Sequence, residues 1–193
     1  MIRPVWQQGQ LALLDLGGGL VLTHPAGTAL VDCADGLAGD WRRAGLAPGG
    51  PDLVLFTGGG VRQLGGLYAL LGLASEGGRK TPMLLGHGVS DDRLGNLVAA
   101  WQHSEGTRSG LPLALEGVFG GDTVEQAPFW AQAHDLGEVA WTVRVGEAAV
   151  TFSGVATPSP RLARAWRGTT VAVVEGPGHC LPPGVVPVVR GLT

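Results

Sequence analysis

The sequence predicts an α/β fold in which two β-sheets pack face to face with helices outside. Three observations carry that prediction. Short apolar runs bounded by Gly, Pro and Asp fill both halves of the chain, as strands do. Segments with apolar residues at helical spacing lie among them in each half, as outer helical layers require. The 34 glycines and 13 prolines are scattered between apolar runs without a collagen-like period, which fits many short elements joined by tight turns.

In chain order, the first expected strands are Leu11 to Leu16, Gly19 to Thr23 and Thr28 to Asp32. A helix follows over about Leu37 to Ala44, then a loop containing Gly45, Pro48, Gly49, Gly50 and Pro51. Asp52 to Phe56 is continuously apolar after its first residue, the pattern of a strand buried on both faces. A helix is expected from Leu64 to Leu73, a polar turn from Ser75 to Thr81 and a buried strand from Pro82 to Gly86. Asp91-Asp92 can cap a helix to about His103, with Leu94, Leu97, Val98 and Trp101 at helical spacing. The second half returns to strands at Leu113 to Glu116, Phe129 to His134, Val139 to Val145 and Ala148 to Phe152, with Val145-Gly146-Glu147-Ala148 as a hairpin turn. Arg161 to Trp166 reads as a short helix, Val171 to Glu175 as a strand, and Val185 to Val189 as a last strand in a Pro- and Gly-rich tail.

Composition narrows the function. The 193 residues are expected to form one domain, 1–193, with 45% hydrophobic and only 15% charged residues, which argues against disorder. Net charge is −3 with no arginine-rich stripe, so general nucleic-acid binding is not expected, because such affinity rests on phosphate contacts. Cys33 and Cys180, the only cysteines, make neither a zinc ribbon nor a disulfide framework. No apolar run approaches the roughly 20 residues of a spanning helix, and no secretory signal is visible, so no membrane role and a cytoplasmic location are expected.

The segment that speaks to chemistry is Leu55-Phe56-Thr57-Gly58-Gly59-Gly60-Val61-Arg62-Gln63-Leu64-Gly65-Gly66-Leu67, a strand running into a Gly-rich turn and a helix. It resembles the first motif of the metallo-β-lactamase superfamily, Thr-His-x-His-x-Asp-His-x-Gly-Gly-Leu, at Thr57, Gly65, Gly66 and Leu67. At the four ligand places it has Gly58, Gly60, Arg62 and Gln63, which cannot replace three imidazoles and a carboxylate. Leu30-Val31-Asp32-Cys33-Ala34-Asp35-Gly36 looks like the Leu-Ile-Asp-Cys-Gly-Glu-Gly segment of the ribonuclease Z branch, and Arg43-Ala44-Gly45-Leu46 continues the register. The resemblance implies a four-layer αββα sandwich of two mixed sheets, with the C-terminal part shortened. In the family a ligand His precedes a Ser/Thr-Gly-Asp-Thr segment. Here His134 precedes Ser153-Gly154-Val155-Ala156, with Val155 where the bridging Asp would be, and Gly191 stands where the last His is expected.

Active members hold two zinc ions with five imidazoles and two carboxylates, and the metals activate a bridging water. Of those seven places only His134 keeps a ligand type, and one imidazole cannot hold a catalytic zinc. No zinc or other cofactor is therefore expected. His24, His87, His103 and His179 share no metal-ligand spacing and read as exposed or singly hydrogen-bonded. His134 is a remnant of the old site or a binding residue.

The ligand-binding candidates are Gly58, Gly59, Gly60, Arg62, Gln63 and His134. Backbone N–H groups of the Gly58–Gly60 turn and the Arg62 guanidinium could take an anion where the zincs were. Gly58–Gly60 also reads as a plain strand-to-helix turn, and Arg62 as a salt-bridge partner of Asp32 or Asp35. Trp101, Trp130, Trp141 and Trp166 sit in apolar patterns and need only packing roles. The expected function is that of a non-catalytic, ribonuclease Z-like protein. Its binding partner would be a homodimer mate, a catalytic metallo-β-lactamase-fold subunit or a small anionic ligand. The alternative is a phosphodiesterase with an atypical or single-metal site.

Overall fold

The computed structural model describes residues 3–88, 92–106, 110–153, 159–175 and 181–190. Its first sheet has seven strands in sequence order: β1 (Trp6–Gln8), β2 (Leu11–Asp15), β3 (Leu20–His24), β4 (Gly27–Val31), β5 (Leu53–Leu55), β6 (Met83–Gly88) and β7 (Leu113–Val118). Pairing is antiparallel through β4 and parallel from β4 to β7. Helices α1 (Leu37–Arg43), α2 (Val61–Leu64), α3 (Leu67–Glu76) and α4 (Arg93–Trp101) lie in the connections between β4 and β7, as parallel crossovers require.

The second sheet has six strands. β8 (Thr123–Gln126), β9 (Phe129–Asp135), β10 (Val139–Val145) and β11 (Ala148–Phe152) pair antiparallel in turn. β12 (Val171–Glu175) and β13 (Val186–Arg190) extend it in parallel, with α5 (Pro160–Ala165) before β12. Both sheets are mixed, as expected.

Three apolar clusters make the layers. Leu13, Leu22, Leu53 and Leu55 of the first sheet meet Phe129, Trp141, Val150 and Phe152 of the second. On the far side of the first sheet, Val21, Leu30, Val54 and Leu85 pack against Trp41, Leu67, Leu70 and Trp101 of the helices. On the far side of the second sheet, Leu162 and Trp166 cover Ala172 and Val174. Continuous apolar character in β5 thus reflects burial on both faces: Leu53 and Leu55 look into one cluster and Val54 into another.

The elements differ from expectation where polar sequence hides a strand or packing breaks a helix. β1, Trp-Gln-Gln, is an exposed edge strand without an apolar run, and β8 places only Val124 inside. The helix expected over Leu64 to Leu73 is two helices, because Gly65 and Gly66 press against neighbouring backbone. The expected 145–148 turn is observed, with Val145 opposite Ala148 and Gly146 at φ 58°. α4 ends at Trp101 in a π turn over Gln102–Gly106, and Asp91 of its expected cap lies outside the described residues. α5 starts at Pro160, where Ser159 Oγ accepts from the Leu162 N–H at 3.1 Å.

Candidate functional site

The two sequence segments that carried the resemblance meet in space. β4 ends at Val31, and the next residue, Asp32, has a φ of 61° and turns its carboxylate back towards the end of β5. Oδ1 accepts from the Thr57 N–H at 2.9 Å and Oδ2 from the Thr57 hydroxyl at 2.7 Å. The next residues hold the far side of the loop: the Cys33 N–H donates to the Gln63 carbonyl (2.7 Å), and the Gly66 N–H donates to the Cys33 carbonyl (2.8 Å). Burial, then the Asp32 charge, pushes the Cys33 thiol far above the ordinary cysteine value, so it stays protonated and unreactive. The second sheet also grips the loop. The Trp141 indole donates to the Phe56 carbonyl at 3.0 Å, and the Val139 N–H donates to the Thr57 carbonyl at 3.1 Å.

The glycines of this loop are of two kinds. A Cβ on Gly66 would lie 2.1 Å from the Ala34 carbonyl oxygen, and one on Gly65 would lie 2.6 Å from that of Val61. Backbone contact demands glycine at both. A Cβ on Gly58 would meet nothing nearer than the Gln63 side chain at 3.7 Å, and one on Gly60 would meet only the movable end of Gln63. Gly60 has φ −79°, so neither space nor backbone requires glycine there.

Beside the loop lies a cleft of about 550 Å³ between the ends of the two sheets. Gly58 and Gly59 line it with Thr57 and Phe56. Leu64 and Leu94 form one wall, Val118, Phe119 and Val139 the other, and His87, Asp135 and Glu138 supply its ionisable side chains. The His87 Nδ1 hydrogen bonds the Gly88 carbonyl at 3.0 Å; a carbonyl only accepts, so the neutral ring carries its lone pair on Nε2.

The other candidates lie elsewhere. Arg62 is exposed, Gln63 is half-buried over the glycine loop, and neither lines the cleft. α2 is a single turn, so it concentrates little dipole at its N-terminus. His134 is on the opposite face of β9 from the inter-sheet core that Phe129, Ala131 and Ala133 enter. Its Nε2 bonds the Thr142 hydroxyl at 2.8 Å, which continues to Thr151 (2.8 Å) and Thr169 (2.7 Å) under α5. Burial lowers its pKa below the ordinary 6.5. The structure therefore gathers Gly58 and Gly59 at the cleft, with Gly60, Arg62 and Gln63 next to it, and sets His134 under α5. Gly154, Val155, Ala156, His179, Cys180 and Gly191 lie outside the described residues. Among the described residues no three or more His, Cys, Asp or Glu side chains group as a metal ion would need, and no helix is long and apolar enough to cross a membrane.

His87, Phe119, Asp135 and Glu138 were not read as site residues from sequence. The turn Asp135-Leu136-Gly137-Glu138, polar and glycine-containing directly after His134, was the available signal; His87 and Phe119 carried none, since only strand pairing brings them there.

No protein-family model and no curated protein matches the sequence. Solved structures are. Human tRNase Z, short form, matches at 14% identity with a TM-score of 0.68, over 81% of this chain and 70% of that one. The chain has the metallo-β-lactamase fold. The metallo-β-lactamase fold protein YhfI from Bacillus subtilis matches at 12% identity and TM-score 0.62, over 81% of this chain and 62% of that one. A diphosphatase of the PhnP family matches at 15% identity and TM-score 0.58, over 87% and 64%. The chain thus spans less than two thirds of the length of the latter two. The expected fold and its ribonuclease Z-like neighbours are both observed.

Proposed function

We propose that this metallo-β-lactamase-fold chain is non-catalytic and works by binding, using the cleft where relatives of the fold hold metal. One observation carries the reading: at Gly58 the fold leaves room for a side chain, at Gly60 only the end of the Gln63 side chain would have to move aside, and the sequence supplies no side chain at either. Decay of ligands in an otherwise braced loop explains that pattern. Glycine forced by packing, as at Gly65 and Gly66, does not. Between the two forms of binding, a partner subunit is better supported than a small anion. The ionisable groups lining the cleft include two carboxylates, and Arg62 lies outside it. Affinity for inorganic phosphate or phenyl phosphate that falls in Arg62→Ala would reinstate the anion.

The experiment is zinc content by native mass spectrometry together with hydrolysis of bis(p-nitrophenyl) phosphate, with and without added zinc. The expected result is a metal-free chain and no turnover above buffer. A stoichiometry near two zincs with turnover would overturn the reading. The phosphodiesterase alternative rests on His87, whose Nε2 can accept a proton inside the cleft. It requires turnover that His87→Gln abolishes.

A further inference from the structure

The polar side chains that line the cleft share one property: all of them offer hydrogen-bond acceptors. Asp135 and Glu138 bring carboxylates. His87 turns Nδ1 to the Gly88 carbonyl at 3.0 Å, which leaves Nε2 as an acceptor. The Thr57 hydroxyl donates its proton to Asp32 Oδ2 at 2.7 Å and keeps only lone pairs. The other lining residues are apolar or glycine; among the described residues none is Lys, Arg, Asn, Gln, Ser, Tyr or Trp.

The chain itself does little to satisfy these acceptors. The exposed Glu138 carboxylate takes no hydrogen bond or ion pair among the described residues. Asp135 takes the Gly137 N–H at 3.1 Å and the exposed Arg161 at 3.4 Å, a loose surface contact. Arg93 donates to the Gly59 carbonyl from the helical side and does not line the cleft. Glu116 and Asp122 line a hollow that meets the cleft at Val118, so negative charge continues along that side.

The walls around the acceptors are hydrocarbon. Leu64, Leu94, Val118 and Val139 form them, and Phe119, 68% exposed, stands at the edge. A ligand that answers both features carries N–H donors and positive charge on an aliphatic stem. An ammonium has three donors and no acceptor, and an aromatic ring at the edge favours a cation too. A phosphate would meet acceptors and like charge. The volume of about 550 Å³ admits a stem of several methylenes.

We infer that the cleft binds a primary alkylammonium group. Free polyamines and lysine side chains of a partner protein both present that group. The inference rests on the reading of the cleft as a binding site.

Isothermal titration calorimetry of the full chain at neutral pH tests it, on the preparation weighed for zinc. The probes are spermidine, cadaverine and the peptide acetyl-Gly-Lys-Gly-amide, with hexanoate as the control of opposite charge. The expected result is an amine that binds with a dissociation constant below about 1 mM, while hexanoate does not bind. Salt at about 0.5 M should weaken the binding. Glu138→Gln should raise the dissociation constant at least about tenfold, and Phe119→Ser about threefold. Both residues are exposed, so both variants should keep the wild-type circular dichroism spectrum. Tighter binding of spermidine or cadaverine identifies a free polyamine as the ligand; tighter binding of the peptide identifies a partner's lysine. No amine bound at about 10 mM overturns the inference, as does hexanoate binding equally well or binding that both variants leave unchanged. Zinc and turnover in that preparation would overturn the non-catalytic reading whatever the amines do. A metal-free, inactive chain that ignores amines overturns this inference alone.

Discussion

At the scale of single residues, the loop after β5 separates glycines that the backbone demands from glycines that it tolerates. Gly66→Ala must move the Ala34 carbonyl, which a Cβ would approach to 2.1 Å, and should cost about 3 kcal/mol in urea unfolding. Gly58→Ala meets only the Gln63 side chain at 3.7 Å and should change stability by less than about 0.5 kcal/mol. An equal loss in both would mean that position 58 is not open. His134 yields a pH dependence. Its folded pKa lies below 6.5, so below that value the unfolded chain binds more protons. Stability is then full above 6.5 and falls as pH drops from 6.5 towards the lower folded pKa. His134→Gln should flatten that part of the stability-against-pH curve while leaving the neutral-pH end little changed. The sequence marked His134 as noteworthy, but which side of β9 it occupies depends on pairing register: Ala133 faces the core, so its neighbour cannot.

At the scale of elements, the connection from α3 to β6 is held by one guanidinium. Arg79, whose side chain is 5% exposed, pairs with Asp52 at 2.6 Å and also donates to the carbonyls of Gly49, Gly50, Thr81 and Pro82. Asp52 in turn accepts from the Thr28 N–H at 2.8 Å, so the same pair sets the start of β5 beside β4. Arg79→Met keeps the aliphatic stem and leaves a partly buried carboxylate and several carbonyls unserved. It should cost about 3–5 kcal/mol by denaturant unfolding. This hub was not legible in the sequence. Ser75 to Thr81 reads as a polar turn, and a turn arginine is ordinarily solvated. By contrast β2, β4, β5 and β10 to β12 were legible from short apolar runs bounded by turn residues, and β9 from the alternation of buried Phe129, Ala131 and Ala133 with Trp130, Gln132 and His134.

At the scale of the whole molecule, the two sheets are tied at one edge by a fork. Arg190, in the last strand of the second sheet, donates through Nε and Nη2 to both carboxylate oxygens of Asp15 at 3.2 Å, and through Nη2 to the Gly17 carbonyl at 2.8 Å. The pair joins residues 175 positions apart, between β2 of one sheet and β13 of the other. Both side chains are partly buried, so the fork is worth more than a surface pair. Arg190→Met should lower stability by about 1–2 kcal/mol. Limited proteolysis should show cleavage rising first near β13, whose outer side chains Val186 and Val189 are exposed.

The sequence by itself determined the layered fold. Strand and helix periodicity are local properties, and the segment pair Leu30–Gly36 and Thr57–Leu67 carries the Asp, Thr and glycines that lock the loop. It also determined that Gly58, Gly60, Arg62 and Gln63 occupy the places where the resemblance puts metal ligands. Only the tertiary structure decided which residues surround the cleft. His87, Phe119 and the Asp135–Glu138 turn belong to strand ends of two sheets and meet because β6, β7 and β9 end, and β10 begins, beside the same cleft. That meeting depends on strand order and register across the whole chain, which no local pattern encodes.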